Sequence, residues 1–202
     1  MIGIAGNATV GKDSFYRVLR SYLEYHNVKC ARFALADNLK NESRHEIYEK
    51  IGISTFTQIP EEKEKVRPYL VEFAARKRQE TQGQYLTSKL EDEVNLAREM
   101  KVVPILTDLR FAYYERDELW WLKTKHKGKL VYLDRIDDRG EFIKPANLSE
   151  EENNPKLRKA ADYYVCWPTR DETGRRNFIE VNCPDVLKGL LNYCRRDVKK
   201  EE

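Results

Sequence analysis

The chain has no run of about eighteen apolar residues, so no ordinary membrane-spanning helix is expected and a membrane partner is excluded. It opens on a strand-like segment, without the basic stretch and long apolar core of a secretory leader. A soluble, cytoplasmic protein is the expectation. Cys30, Cys166, Cys183 and Cys194 nowhere stand as C-x-x-C, and His26, His45 and His126 are scattered. That spacing argues against a zinc or redox site and predicts reduced thiols. Charge of one sign is also missing: 37 basic against 34 acidic residues leave +3, so no global field favours nucleic acid as a partner. Internal repeats and low-complexity segments are absent. What is present, 41% hydrophobic residues over 202 positions, is enough for a real core, read here as a single domain over 1–202.

One segment carries chemistry at once. Gly6-Asn7-Ala8-Thr9-Val10-Gly11-Lys12-Asp13-Ser14 follows the apolar run Met1 to Ala5. A glycine-bounded loop between a strand and a helix, ending in Gly-Lys, wraps backbone N–H groups around phosphates. The glycines let the loop curl closely, and Lys12 supplies a point charge for the β- and γ-oxygens of a nucleoside triphosphate. Phe15, Val18, Leu19, Tyr22 and Leu23 repeat with helical period, so a helix dipole points at the same anion. The strict motif places Ser or Thr after the lysine for magnesium; here Asp13 stands there and Ser14 comes one later.

Strand-like runs at Ile2 to Ala5, Ala31 to Leu35, Val102 to Thr107, Leu130 to Leu133 and Tyr163 to Trp167 alternate with helix-length stretches. The pattern predicts an α/β fold: three layers, with a central, mainly parallel five-stranded sheet. Pro104 lacks a donor, so a bulge is expected there. Residues 37–101 form a helical insert, with Val66, Tyr69, Leu70, Phe73 and Ala74, then Leu86, Leu90, Val94 and Ala97, at helical spacing. Pro60 and Pro68 suit helix starts. The polar stretch from Arg135 to Pro155 reads as a mobile excursion. Asn177 to Asn182 reads as a further strand, Pro184 to Cys194 as a closing helix, and Arg195 to Glu202 as a charged, frayed tail.

Val102 to Asp108 is an apolar run ending in a carboxylate, the form of the second acidic element in P-loop proteins. Asp108 is therefore a candidate beside metal and phosphate, or else a helix cap. Arg110 lies at the same carboxyl edge of the sheet, where ligands of open α/β sheets collect and where a guanidinium fork matches a phosphate.

Taken together, these blocks resemble the deoxynucleoside monophosphate kinases of tailed phages. Gly11-Lys-Asp-Ser14 is similar to that family's Gly-Lys-Asp-Thr/Ser, Ala34-Leu-Ala-Asp37-Asn-Leu-Lys40 to its Ala-Asp-Pro-Leu-Lys, Thr107-Asp-Leu-Arg-Phe111 to its Thr-Asp-Val-Arg-Phe, and Ala161-Asp162 to its late Ala-Asp. The blocks keep family order over about residues 1 to 167. After Arg-Phe the family has Pro-Asn-Glu, whereas Ala112, Tyr113 and Tyr114 stand here with Glu115 one place later. The aromatic residue that closes the family's insert, usually Trp, corresponds to Tyr85.

The resemblance implies a P-loop NTPase fold with a helical substrate-binding insert (37–101) and a mobile lid (135–158). It also implies transfer of the γ-phosphoryl group of ATP, with Mg2+, to a nucleoside or deoxynucleoside monophosphate. Lys12 would neutralise charge on the transferring group, Asp13 and Asp108 would face the metal directly or through water, and Ser14 would bond the α-phosphate. Arg67, Arg110, Asp37 and Lys40 would form the acceptor site, with Tyr69 and Tyr85 either stacking on its base or lying in the core. Arg135, Arg139 and Lys144 would close over the triphosphate or form a basic surface loop. Arg76, Lys77 and Arg78 read as a solvated helix face. Trp120 and Trp121, beside Tyr113 and Tyr114, read as helix packing or a homodimer contact rather than base stacking. The alternatives are a P-loop kinase of another small metabolite, or a P-loop NTPase coupled to nucleic acid or a partner protein.

Overall fold

The computed structural model of the protein describes residues 1–199. The predicted apolar runs become five strands, β1 (Ile2–Gly6), β2 (Cys30–Phe33), β3 (Val103–Leu109), β4 (Lys129–Ile136) and β5 (Tyr163–Pro168). They form one sheet in the order β2-β3-β1-β4-β5, with every neighbouring pair parallel. Such strands are covered on both faces, which is why they read as nearly continuous apolar runs. Period-two alternation divides β1 between two cores. Ile2 and Ile4 join Phe15, Leu19 and Leu23 of α1 (Lys12–Tyr25) and Leu187 and Leu190 of α8 (Pro184–Lys199). Met1 and Ala5 join Leu86, Leu90 and Val94 of α4 (Tyr85–Glu99) on the other face.

The bulge expected at Pro104 is not there: β2 pairs with Val103, Pro104 and Ile105 in unbroken register. Val103 donates to the Lys29 carbonyl on the β2 side. Pro104 therefore turns its missing donor toward β1, whose pairing with β3 starts only at Ile2↔Ile105. The proline thus removes no ladder bond. The register slips later, between Gly3↔Leu106 and Ala5↔Leu109, so β3 carries one extra residue at Thr107 and Asp108. This slip keeps Leu109 on the same core face as Leu106 and turns Asp108 out of strict alternation.

The insert is helical as expected: α2 (Leu35–Ile51), α3 (Pro60–Thr81) and α4. Pro60 sits in the first turn of α3, but Pro68 lies inside that helix rather than starting one. Its ring is exposed, so the break in bonding faces water. After β3 come α5 (Glu118–Trp120) and a π-helical turn, Trp121–Lys125. Trp121 is buried, donating to Glu91 at 2.6 Å, so half of the tryptophan pair serves helix packing.

The polar stretch after Arg135, expected as a mobile excursion, carries secondary structure: β4 runs to Ile136, Phe142 bridges back to it, and α6 (Leu148–Ala160) buries Glu150, Asn153 and Leu157. Asn177 to Asn182 is not a strand but the second half of α7 (Glu172–Asn182). Asp171 caps that helix by accepting from Gly174 at 2.7 Å, and Ile179 anchors it in the α1 core. The charged tail is helical as far as Lys199; Lys200 to Glu202 lie outside the described residues.

Candidate active site

β1 delivers the chain to the middle of the carboxyl edge of the sheet, and the loop Asn7 to Gly11 turns there into α1. Gly6 and Gly11 hold φ of 134° and 104°, in the left-handed region. A Cβ at Gly6 would overlap the Leu133 carbonyl oxygen, and one at Gly11 would stand 2.9 Å from the Trp167 ring. Groups from elsewhere take the loop's carbonyls: Trp167 donates to Val10 O at 3.0 Å and Arg135 to Thr9 O at 2.9 Å. The Asn7 side chain donates to Ile143 O at 2.6 Å and accepts from Asn154. These bonds pin the turn between β1 and α1 at the place where a glycine-bounded loop receives an anion in proteins of this fold.

Lys12 bends into this loop, donating to the carbonyls of Gly6 and Asn7, each at 2.8 Å. Burial lowers its ammonium to about 8, helped by Arg110 and opposed by Glu150, Asp108 and Asp13. A phosphate would supply the negative charge that this buried cation lacks. The place beside it is held by an acid: both Glu150 oxygens accept from Ala8 N–H at 3.2 Å, while Glu150 also accepts from Ala146 at 3.0 Å and stands 3.5 Å from Arg110. Sequence reading missed Glu150, whose only signal is Asn147 three residues earlier, the cap of α6.

The metal-side candidates differ. Asp13 lies in the first turn of α1 with its side chain 71% exposed, 4.0 Å from Arg32. It is open to a hard cation, and Mg2+ takes oxygen ligands from one or two carboxylates plus phosphates and water. Asp108 is engaged instead: it accepts from Leu35 and Ala36 N–H at 2.9 and 2.7 Å, capping α2 from across the sheet edge. Burial pushes its carboxyl up, and those two donors oppose the shift. A metal would meet Asp108 through its remaining lone pairs or a water. Among the described residues, no group of three or more His, Cys, Asp or Glu is placed to hold a metal unaided.

Ser14 donates to Glu172 at 2.7 Å, and Glu172 also holds Arg17 at 2.8 Å and Arg175 at 3.0 Å. Of the residues expected to form an acceptor site, Asp37 joins Arg32 at 2.8 Å, a cation missed in the sequence. Lys40 lies over the Phe56 ring. Tyr85 donates to Glu42 at 2.7 Å and meets Phe73 edge-on, so it ties the insert helices together. Arg67 pairs with Glu64 at 3.0 Å on the exposed side of α3, and Tyr69 is half-buried two residues on. Arg139 and Lys144 are exposed.

Arg78 is not part of a solvated face. It is buried, donating to Asp117 at 2.5 Å and to Glu118 at 3.1 Å, with its guanidinium 3.5 Å from the Phe111 ring centre. Its neighbours Arg76 and Lys77 are surface residues paired with Glu46 and Glu80. Glu115, which the resemblance put nearest the Asn-Glu position, is exposed; the acids that organise this turn are Asp117 and Glu118.

A parallel five-stranded sheet in this order, with a glycine-bounded loop and lysine after its central strand, is the three-layer α/β P-loop fold. Among solved structures it is similar to a dephospho-CoA kinase from Campylobacter jejuni, with a TM-score of 0.50 and 12% identity over 93% of this chain and 97% of that one. No protein-family model and no curated protein matches the chain. In the described residues no helix is long and apolar enough to cross a membrane.

Proposed function

We propose that the protein transfers the γ-phosphoryl group of ATP to a small phosphorylated or hydroxylated metabolite. The observation that carries this is the largely buried Lys12 ammonium, held at the glycine-bounded loop by the carbonyls of Gly6 and Asn7, with Arg110 close enough to lower it. Phosphoryl transfer asks for positioning and charge neutralisation more than for covalent chemistry, and these residues supply both. The loop 6–11 and Lys12 bind the β- and γ-phosphates, Ser14 exchanges Glu172 for the α-phosphate, and Arg135 and Arg139 cover the triphosphate. Mg2+, when bound, would add neutralisation of phosphate charge, and Asp13 and Asp108 would be the carboxylates facing it, directly or through water.

The finer reading takes a nucleoside or deoxynucleoside monophosphate as acceptor, between the insert 37–101 and the lid 135–158. It rests on the resemblance of the Gly-Lys-Asp-Ser, Ala-Asp-Asn-Leu-Lys and Thr-Asp-Leu-Arg-Phe blocks to the phage kinases. Arg110, Arg67 and Lys40 would meet its phosphate, and Tyr69 and Tyr85 its base. A second reading has its own observation: Asp37, half-exposed and paired with Arg32, is suited to take a proton from a hydroxyl acceptor, which a phosphate acceptor does not need.

The test is ADP formation from ATP and Mg2+ with each common ribo- and deoxyribonucleoside monophosphate in turn, and with dephospho-CoA as a hydroxyl acceptor. Stimulation by one or a few acceptors, lost in Lys12→Ala, supports transfer. ATP turnover that ignores every acceptor and rises with DNA or RNA sinks it.

A further inference from the structure

The residues that follow β3 are shaped by a buried ionic cluster which the phosphate chemistry above does not use. Arg78, at the far end of α3, meets Asp117 and Glu118, whose side chains are 1% and 3% exposed. One guanidinium faces two carboxylates, so a negative charge is left over in a medium where it cannot be solvated by water. Backbone donors meet that excess. Glu118 Oε2 accepts from Arg110 at 2.8 Å and from Phe111 at 3.0 Å. Asp117 accepts from Tyr113 at 3.1 Å, Tyr114 at 3.3 Å and Glu118 at 2.9 Å.

An apolar trio of similar volume would fill this space with no desolvation cost. What the carboxylates add is direction: they turn five N–H groups inward and so fix the backbone from Arg110 to Glu118. The first residue of that turn is the one whose side chain reaches the cradle, 3.5 Å from Glu150 and close enough to lower the Lys12 ammonium. The face of the Phe111 ring packs against the Arg78 guanidinium, 3.5 Å from ring centre to the cation.

We infer that Glu118 is a positioning residue for Arg110: clamped by Arg78, it holds the turn from which the Arg110 side chain reaches the phosphate cradle. The inference rests on the reading of Arg110 as a phosphate-binding group. It also links the insert to the cradle, because Arg78 belongs to α3 and Arg110 to the end of β3. Burial, with Asp117 and Asp108 adding to it, pushes the Glu118 carboxyl up to about 7, against the pull of Arg78 and the Arg110 N–H.

The test is a double-mutant cycle read as pyrophosphate affinity by calorimetry, which needs no acceptor. Charge-assisted bonds of this kind set the scale: Arg110→Ala and Glu118→Ala are each expected to weaken binding about tenfold. The double variant is expected to be no weaker than Arg110→Ala alone. Additive losses of about a hundredfold, or a Glu118→Ala protein that binds like wild type, would overturn the inference. If Glu118→Ala does not fold, Glu118→Leu fills the same volume and enters the cycle under the same criterion. A wild type that binds pyrophosphate but transfers phosphoryl to no acceptor ends the kinase reading and leaves this inference intact. A wild type that binds none overturns both.

Discussion

Two neighbouring turns at the carboxyl edge of the sheet bring cations, Lys12 and Arg110, to the same space, and they are built in opposite ways. In the loop from Gly6 to Gly11, two glycines in the left-handed region and the start of α1 fix the geometry within a few consecutive residues. In the turn from Arg110 to Glu118 no glycine is used; two buried carboxylates and a guanidinium from α3 do the shaping. The first turn has its shape from its own backbone preferences, with Trp167, Arg135 and Asn154 bonding it from outside. The second keeps it only while three charged side chains stay together, so it is the one through which the insert can act on the cradle.

The comparison breaks most visibly at Lys12. Lys12→Ala should lower phosphoryl transfer by roughly a thousandfold or more while the melting curve stays near wild type, since it removes charge neutralisation and not a core contact. Arg78→Ala should do the reverse kind of damage. It strands two buried carboxylates and is expected to cost about 3–5 kcal/mol in denaturant unfolding.

Smaller effects sharpen the difference. Because the Glu150 carboxylate sits against Ala8 N–H where a phosphate oxygen would go, Glu150→Ala should tighten pyrophosphate binding about tenfold in calorimetry. Titration of Lys12 should show in the same assay. The free-state ammonium is held down to about 8, and a bound polyphosphate stabilises its charged form. Affinity attributable to Lys12 is therefore full below pH 8 and falls as pH rises above it, by up to about tenfold per unit, a slope absent from Lys12→Ala. Arg76→Ala, two residues from Arg78 but on the surface with Glu46, should move the melting midpoint by about 1 °C or less.

The same contrast explains what the sequence made legible. The five strands and the loop after β1 are local: a short apolar run, or Gly-x4-Gly-Lys between a run and an amphipathic helix, carries its own signal. The Asn177 to Asn182 stretch misled because Phe-Ile-Glu-Val has strand-like residues, while the helix start that decides its state, Asp171, lies six residues before it. The proline at 104 misled, because β1 begins to pair only at Ile105 and the missing donor breaks nothing; the register slips instead at Thr107 and Asp108. Arg78 read as surface because its neighbours in sequence are charged; its partners are 39 and 40 residues away. Glu150 reaches Ala8 across 142 residues. Asp108 was visible as a strand-end carboxylate, but its hold on α2 depends on where β2 and β3 finish side by side.

The central claim, that this cradle transfers phosphate rather than merely holding it, is tested most directly by following the label from [γ-32P]ATP in the presence of Mg2+ and the acceptor panel. Label appearing in one or a few acceptors, at equal moles with ADP and lost in Lys12→Ala, is the predicted result. Label released only as inorganic phosphate, with no acceptor labelled, would contradict it.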